Sequence, residues 1–334
     1  MDPLSLVALA RTLVDIDSTT GQEADCGRWL AAYLRGRGFT VEEQPVSGDR
    51  FNVAVTMDAP RVVLSTHFDC VPPFFPSREA DGLLLGRGAC DAKGILAAQV
   101  CALERLRAEG VRQVGTLFLV GEERGSDGAR VANASPNACR FLVNGEPTDS
   151  RLAAATRGVL RLKLTAHGRA GHSAYPEMGE SAIEKLLDAL VRLRSIELPA
   201  REPLGRTHYT VGLINGGLAP NVIPPHAEAE VMVRTVGAAA ELMALLEPLR
   251  SLVDLDVVLD VPAVTLATVP GFDIAVFPFS TDIPFLDRWG TPLLFGPGSI
   301  LVAHTDREHV AVAELDAAAD RYMQLATTLL AREA

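Results

Sequence analysis

The segment 61–94, RVVLSTHFDCVPPFFPSREADGLLLGRGACDAKG, constrains the fold more than any other stretch of the chain. It opens on an apolar run of the length and β-branched content that a buried strand requires. The run delivers His67 and Asp69. A loop rich in Pro and Phe follows, and Gly86-Arg87-Gly88-Ala89-Cys90-Asp91-Ala92-Lys93-Gly94 then leads into a helical pattern. Residues 114–120 and 140–144 are two further apolar runs, followed by Glu122-Glu123 and by Glu146. Between the first two runs, Ile95, Leu96, Val100, Leu103 and Leu106 recur at helical spacing, with Gly110 as a stop. Continuous apolar strands alternating with helices predict an α/β fold with a mixed, largely parallel sheet covered on both faces. Ligands bind such sheets outside the carboxyl ends of the strands, which is where these polar residues fall.

The pattern changes after about residue 157. Residues 159–165 alternate apolar and polar, as a half-exposed strand does. Ser181-Ala182-Ile183-Glu184 has the form of a capping box, and the helix behind it carries an apolar stripe that stops at Leu193. Strands at 208–214 and 227–235, a helix at 238–252 and a strand at 255–261 complete a β-α-β-β-α-β order, which predicts a ferredoxin-like α+β lid. This domain, 157–261, interrupts a catalytic domain formed by 1–156 and 262–334. The first part of that domain also carries helical patterns at 4–16 and 23–36 and strands at 41–46 and 52–57. The second carries short strands at 274–277 and 292–295, a Gly296-Pro297-Gly298 loop, His304 and a helix rich in Ala and Leu.

The formal net charge of −11, with no run of Lys and Arg, argues against nucleic acid or an anionic membrane as partner. No apolar run approaches the roughly 20 residues that span a bilayer, and the first residues lack the basic start of a signal peptide. Cys26, Cys70, Cys90, Cys101 and Cys139 are odd in number and form no CxxC pair. They read as the reduced thiols of a cytoplasmic protein. Cys70 and Cys90 adjoin site residues, so thiolate ligation is a competing reading for those two.

Zinc favours imidazole nitrogen and carboxylate oxygen, and a two-metal site needs a bridging carboxylate with terminal ligands on each side. His67, Asp91, Glu123, Glu146 and His304 form such a set. Asp69, two residues from His67, can accept its ring N–H and fix the tautomer. Glu122, beside Glu123, is placed to act as general base. Each residue also has a plainer reading. Asp91 could be a helix N-cap, and Glu122-Glu123 a solvated turn. His167, His208, His226 and His309 are read as ordinary surface or core residues. Joint placement at strand ends is what favours the metal reading.

Ser65-Thr66-His67-Phe68-Asp69, Gly86 through Gly94, Gly121-Glu122-Glu123 and Gly145-Glu146-Pro147-Thr148 together resemble the successive signatures of one family. It is the co-catalytic zinc amidohydrolase and peptidase family that includes acetylornithine deacetylase, succinyl-diaminopimelate desuccinylase, aminoacylase and glutamate carboxypeptidase. The resemblance implies two divalent ions, zinc first, with cobalt or manganese accepted by the same ligand types. His67 and Glu146 would hold one, Glu123 and His304 the other. Asp91 would bridge, with a cis peptide to Ala92. Gly171-His172-Ser173-Ala174-Tyr175-Pro176 is similar to a lid motif whose His stabilises the oxyanion in the partner subunit's site. Asn221 and Arg234 match residues that bind the substrate carboxylate. The Ser280-Thr281-Asp282 turn and the Gly296-Pro297-Gly298 loop resemble pocket-lining loops. The chain is short for the family, carries Phe74 and Phe75 between the first two ligands, and has Asp306 and Arg307 after His304 where the usual segment is only partly reproduced.

These features imply a homodimer paired through the lid that hydrolyses the amide bond of an N-acyl amino acid or short peptide. The Gly-Glu-Pro-Thr context of Glu146 favours acetylornithine deacetylase-like activity within the family. A desuccinylase, a dipeptidase or a carboxypeptidase would use the same chemistry. A metal- or amino-acid-binding protein without turnover is the reading of a different class.

Overall fold

The computed structural model describes residues 4–135 and 137–332. Contacts divide the chain into two compact units, Met1–Ala154 with Leu266–Ala275 and Thr281–Ala334, and Ala155–Thr265 with Val276–Ser280. The second unit therefore reaches beyond the expected 157–261 at both ends.

The first unit is built on a six-stranded sheet in the order Thr40–Ser47, Arg50–Thr56, Val114–Leu119, Val62–His67, Phe141–Asn144, Thr291–Leu294. Its first two junctions are antiparallel and the other three parallel. Strand Val62–His67 is buried at every position, as an apolar run covered on both faces should be. His67 stands opposite Leu119, and Asn144 opposite Ser65 and Leu294. The parallel strands thus end nearly in step, and the residues that follow them share one edge. Helix Lys93–Ala108 buries Ile95, Leu96, Val100, Leu103 and Leu106 and packs against helices Leu6–Val14 and Val312–Ala331. A methyl group on Gly94 would lie 2.2 Å from the Ala89 carbonyl oxygen, so the helix start tolerates no side chain there.

The short strand expected at 274–277 is present as Ile274–Phe277, with partners outside the six strands of this sheet. Strands Arg78–Ala80 and Leu83–Leu85, within the segment expected to be loop, form a small sheet with His309–Ala311. Asp81 and Gly82, both at positive φ, turn its hairpin. Strands of three residues carry too little periodicity to be read from sequence.

The second unit contains a four-stranded antiparallel sheet in the order His208–Gly216, His226–Thr235, Gly158–His167, Asp254–Val261. Helices Ala182–Ser195 and Ala239–Leu246 complete the ferredoxin-like order. Leu160, Leu162, Leu164 and Ala166 alternate into the core they share with these helices. Ser181 caps its helix by accepting the Glu184 amide at 3.2 Å. The helix expected to run to 252 stops at Leu246 and gives way to a 3-10 turn, Glu247–Ser251. Pro248 explains the break, because it donates no hydrogen bond and its ring collides with the preceding turn.

Candidate dinuclear metal centre

His67 is the last residue of its strand and is almost fully buried. Its Nδ1 lies 3.0 Å from the Asp69 carbonyl oxygen and 3.4 Å from the Asp69 carboxylate. The backbone carbonyl, rather than the expected carboxylate, is the nearer acceptor. Donation from Nδ1 leaves the Nε2 lone pair facing outward, toward Asp91 Oδ1 at 3.0 Å and Glu146 Oε2 at 3.9 Å. The Asp69 carboxylate is engaged elsewhere. It accepts the amides of Glu122 and Glu123 at 3.0 and 3.2 Å and the Thr20 hydroxyl at 2.8 Å.

A second group forms around His304, whose Nε2 lies 2.9 Å from Glu123 Oε1 and 3.3 Å from Asp91 Oδ2. Among the described residues, two sets could hold a metal ion: His67, Asp91 and Glu146, and Asp91, Glu123 and His304, each with donor atoms within 4.8 Å of one another. Asp91 is common to both and turns one oxygen to each. It does not cap the following helix; Ala92 holds the cap position, without a side-chain bond. The Asp91–Ala92 peptide is cis. Neither Cys70 nor Cys90 joins a set, and burial pushes both thiols upward, Cys70 to about 12. Their place outside both sets is what argues against ligation.

Burial, reinforced by neighbouring carboxylates, drives Glu122 and Glu146 well above the usual carboxylate range, and Glu123 also rises. Asp91 is held low against its burial by hydrogen bonds from His304 and His67. His304 is raised to about 10 by hydrogen bonds to Asp91 and Glu123. His67 also rises, since Asp69 and Asp91 outweigh its burial. Concentrated buried negative charge of this kind is what divalent cations neutralise. Glu146 Oε1 is buried and accepts no hydrogen bond from the described residues, as a ligand oxygen would not. The donor set of imidazole and carboxylate suits Zn2+, Co2+ or Mn2+.

In the second unit, strand Gly171–His172 pairs with Val222–Ile223, and Ser173 donates its amide to the Asn221 carbonyl at 3.1 Å. His172 and Asn221 therefore sit on one ribbon. The exposed His172 ring accepts the Ala174 amide at Nδ1, so its neutral form carries the proton on Nε2. Arg234 lies on strand His226–Thr235, opposite Val159 and His208. It is half-buried, and burial alone lowers its guanidinium pKa.

Glu308 and Thr20 escaped sequence reasoning. Glu308 is fully buried, with Oε1 accepting the amides of Gly88, Cys90 and Asp91 and Oε2 2.6 Å from Arg87. Its position four residues after His304 was the available signal, obscured by the unfamiliar Asp306 and Arg307 between them. Thr20 gave no sign of reaching Asp69. In the Phe-rich loop, Phe75 packs under Arg87 at 5.0 Å while Phe74 is exposed. The Gly296-Pro297-Gly298 loop is tied to Thr148, whose hydroxyl accepts the Gly296 amide at 2.9 Å. Asp282 is buried, and neither of its oxygens makes a hydrogen bond among the described residues.

Residues 154–254 match a family model described as the M20 peptidase dimerisation domain. A probable carboxypeptidase of Aspergillus clavatus is 36% identical over 98% of this chain and 83% of its own length. The chain superposes on a tripeptidase from Staphylococcus aureus with a TM-score of 0.81 at 18% identity, covering 96% and 97% of the two chains. A dinuclear metal-binding peptidase of the M20 family from Bacillus subtilis superposes with a TM-score of 0.73 at 16% identity, covering 97% of both.

Proposed function

The chain belongs to the M20 peptidase family of metal-dependent hydrolases, and we propose that it cleaves the amide bond of a small substrate ending in a free carboxylate. The observation that carries this reading is the sharing of Asp91 between two ligand groups at the carboxyl edge of the sheet. His67 and Glu146 would hold one ion and Glu123 and His304 the other, with zinc the first choice. Two bound cations supply electrophilic polarisation of the carbonyl and acidify water. Glu122, its pKa raised by burial, takes the proton from the attacking water and returns it to the leaving amine. His172 donates from Nε2 to the developing oxyanion across a homodimer. Asn221 and Arg234 hold the substrate carboxylate, for which a half-buried guanidinium with no charged partner among the described residues is well suited.

The similarity to a probable carboxypeptidase of Aspergillus favours a carboxypeptidase. The Gly-Glu-Pro-Thr context of Glu146 favours the second reading, an acetylornithine deacetylase-like enzyme, with a desuccinylase as its variant. The dimer would pair through residues of the dimerisation domain, whose edge strand His208–Gly216 leaves Leu213 and Ile214 more than half exposed. Five buried free thiols fit a cytoplasmic setting. Among the described residues, no helix is long and apolar enough to cross a membrane.

The test is a substrate panel with metal analysis on the same zinc-supplemented sample. It compares dipeptides with a free carboxylate, their C-terminal amides, N-acetylornithine and N-succinyl-diaminopimelate. Cleavage of the free dipeptides but not the amides, with two metals per chain, is expected. Turnover of N-acetylornithine alone would install the second reading. Metal binding with no turnover of any member would sink the hydrolase reading.

A further inference from the structure

We propose that Glu308 is the positioning residue that fixes Asp91 as the carboxylate shared between the two metal groups. The inference rests on the dinuclear reading above. Glu308 is 0% exposed, and its partner Arg87 only 2%. A single oxygen, Oε1, accepts three amides of one loop: Gly88 at 2.9 Å, Cys90 at 3.2 Å and Asp91 at 3.0 Å. The third of these is the amide of the bridging residue itself. Its other oxygen binds Arg87 Nη1 at 2.6 Å. Without this acceptor the three amides would face the interior unpaired, and the loop would have to move to satisfy them.

The same residue also anchors the second metal group. Only three residues separate Glu308 from His304. Its carbonyl accepts the Gly86 amide at 3.2 Å, and the strand it introduces, His309–Ala311, pairs with Leu83–Leu85. The side chain of Glu308 therefore reads the Asp91 loop while its backbone holds the start of the segment that presents His304. Arg87 extends the brace: its Nε donates to the Pro73 carbonyl at 3.2 Å, and its guanidinium lies over Phe75. Ligand sets must be held within about 0.5 Å of their productive geometry, and a carboxylate buried among charge-assisted amide bonds does this better than a neutral acceptor.

The test uses the full-length enzyme reconstituted with Co2+, and reads the affinity of each cobalt by equilibrium dialysis together with the visible spectrum. Glu308→Gln keeps the shape and one oxygen but removes the charge. It should weaken the second cobalt about 3–10-fold, change the spectrum, and lower kcat with KM held. Glu308→Ala removes the acceptor and should weaken it about 10–100-fold. The graded order, with partial rescue by Gln, is the signature of positioning. A folded Glu308→Gln enzyme with wild-type cobalt affinity and spectrum would overturn the proposal, even where Glu308→Ala fails to fold. A wild type that binds one cobalt per chain would instead overturn the dinuclear reading, and this inference with it.

Discussion

The carboxylate of Asp69 accepts the backbone amide of Glu122 at 3.0 Å. The same carboxylate accepts the amide of Glu123 and the hydroxyl of Thr20. The strand end that presents His67 and the turn that presents Glu122 and Glu123 are thereby one hydrogen-bonded piece. Asp69 acts on the centre through this scaffold more than through the imidazole of His67.

Asp69→Asn places an amide nitrogen where an acceptor is needed by two backbone donors and a hydroxyl. The turn must shift, carrying Glu122 and Glu123 with it. We expect kcat to fall about 10–100-fold, with Thr20→Val producing a smaller loss in the same direction. Steady-state kinetics on both variants, normalised to metal content, would measure this. An Asp69→Asn enzyme with full kcat would contradict it.

Glu122 lies outside both candidate metal sets. Glu122→Gln should therefore leave two metals per chain while kcat drops about 10²–10⁴-fold. Metal analysis beside kinetics separates this from loss of a ligand. Glu123→Gln, by contrast, should lose metal from the His304 group.

How much of this could be read beforehand follows from where each signal resides. Strand Val62–His67 was legible because burial on both faces writes a continuous apolar run into the sequence. Asp91 was ambiguous, since an Asp before a helix reads equally as a cap; the approach of His304, more than two hundred residues away in the chain, is what brings it into a second candidate ligand group. Glu308 was hard to see because three of its partners are backbone amides, which leave no mark in side-chain pattern, and only its spacing from His304 hinted at it. Ile274–Phe277 had the composition of a sheet strand, but composition does not say which sheet.

Arg50 predicts a stability effect. Its guanidinium makes paired bonds to Glu23, at 2.8 and 2.7 Å, and reaches Asp127 at 2.6 Å. Glu23 is fully buried. Arg50→Met would leave that carboxylate without a countercharge and should cost about 3–5 kcal/mol in urea unfolding. The double variant Arg50→Met with Glu23→Leu removes both charges and should recover most of the loss. If the double variant is no more stable than the single, the cost lies in packing and not in the buried charge.

The exposed edge of the second unit predicts the oligomeric state. Leu213 and Ile214 are 57% and 54% exposed on strand His208–Gly216, and Val191 on helix Ala182–Ser195 is 63% exposed. Isolated apolar residues at a surface are ordinary, but an open strand edge bearing them favours association. The double variant Leu213→Lys with Ile214→Lys should run as a monomer in light scattering where the parent is a dimer, and should lose turnover if His172 acts across subunits. A monomeric parent with full activity would remove the basis for this prediction.

Asp282 predicts how stability varies with pH. Burial raises its carboxyl from an ordinary 3.8 to about 7; the nearby Ser126 hydroxyl offsets part of this without making a well-aligned bond to either oxygen. Between those values the folded protein retains a proton that the unfolded chain has released. The group's contribution is therefore fully present below about pH 4 and is lost as pH rises through about 7. Asn cannot ionise, so Asp282→Asn should flatten this slope. With chelator present to remove metal linkage, urea unfolding of the parent should weaken relative to Asp282→Asn by about 2–3 kcal/mol between pH 5 and pH 8. A difference between the two proteins that stays constant over this range would mean that Asp282 is already ionised at pH 5 and that another group balances its charge.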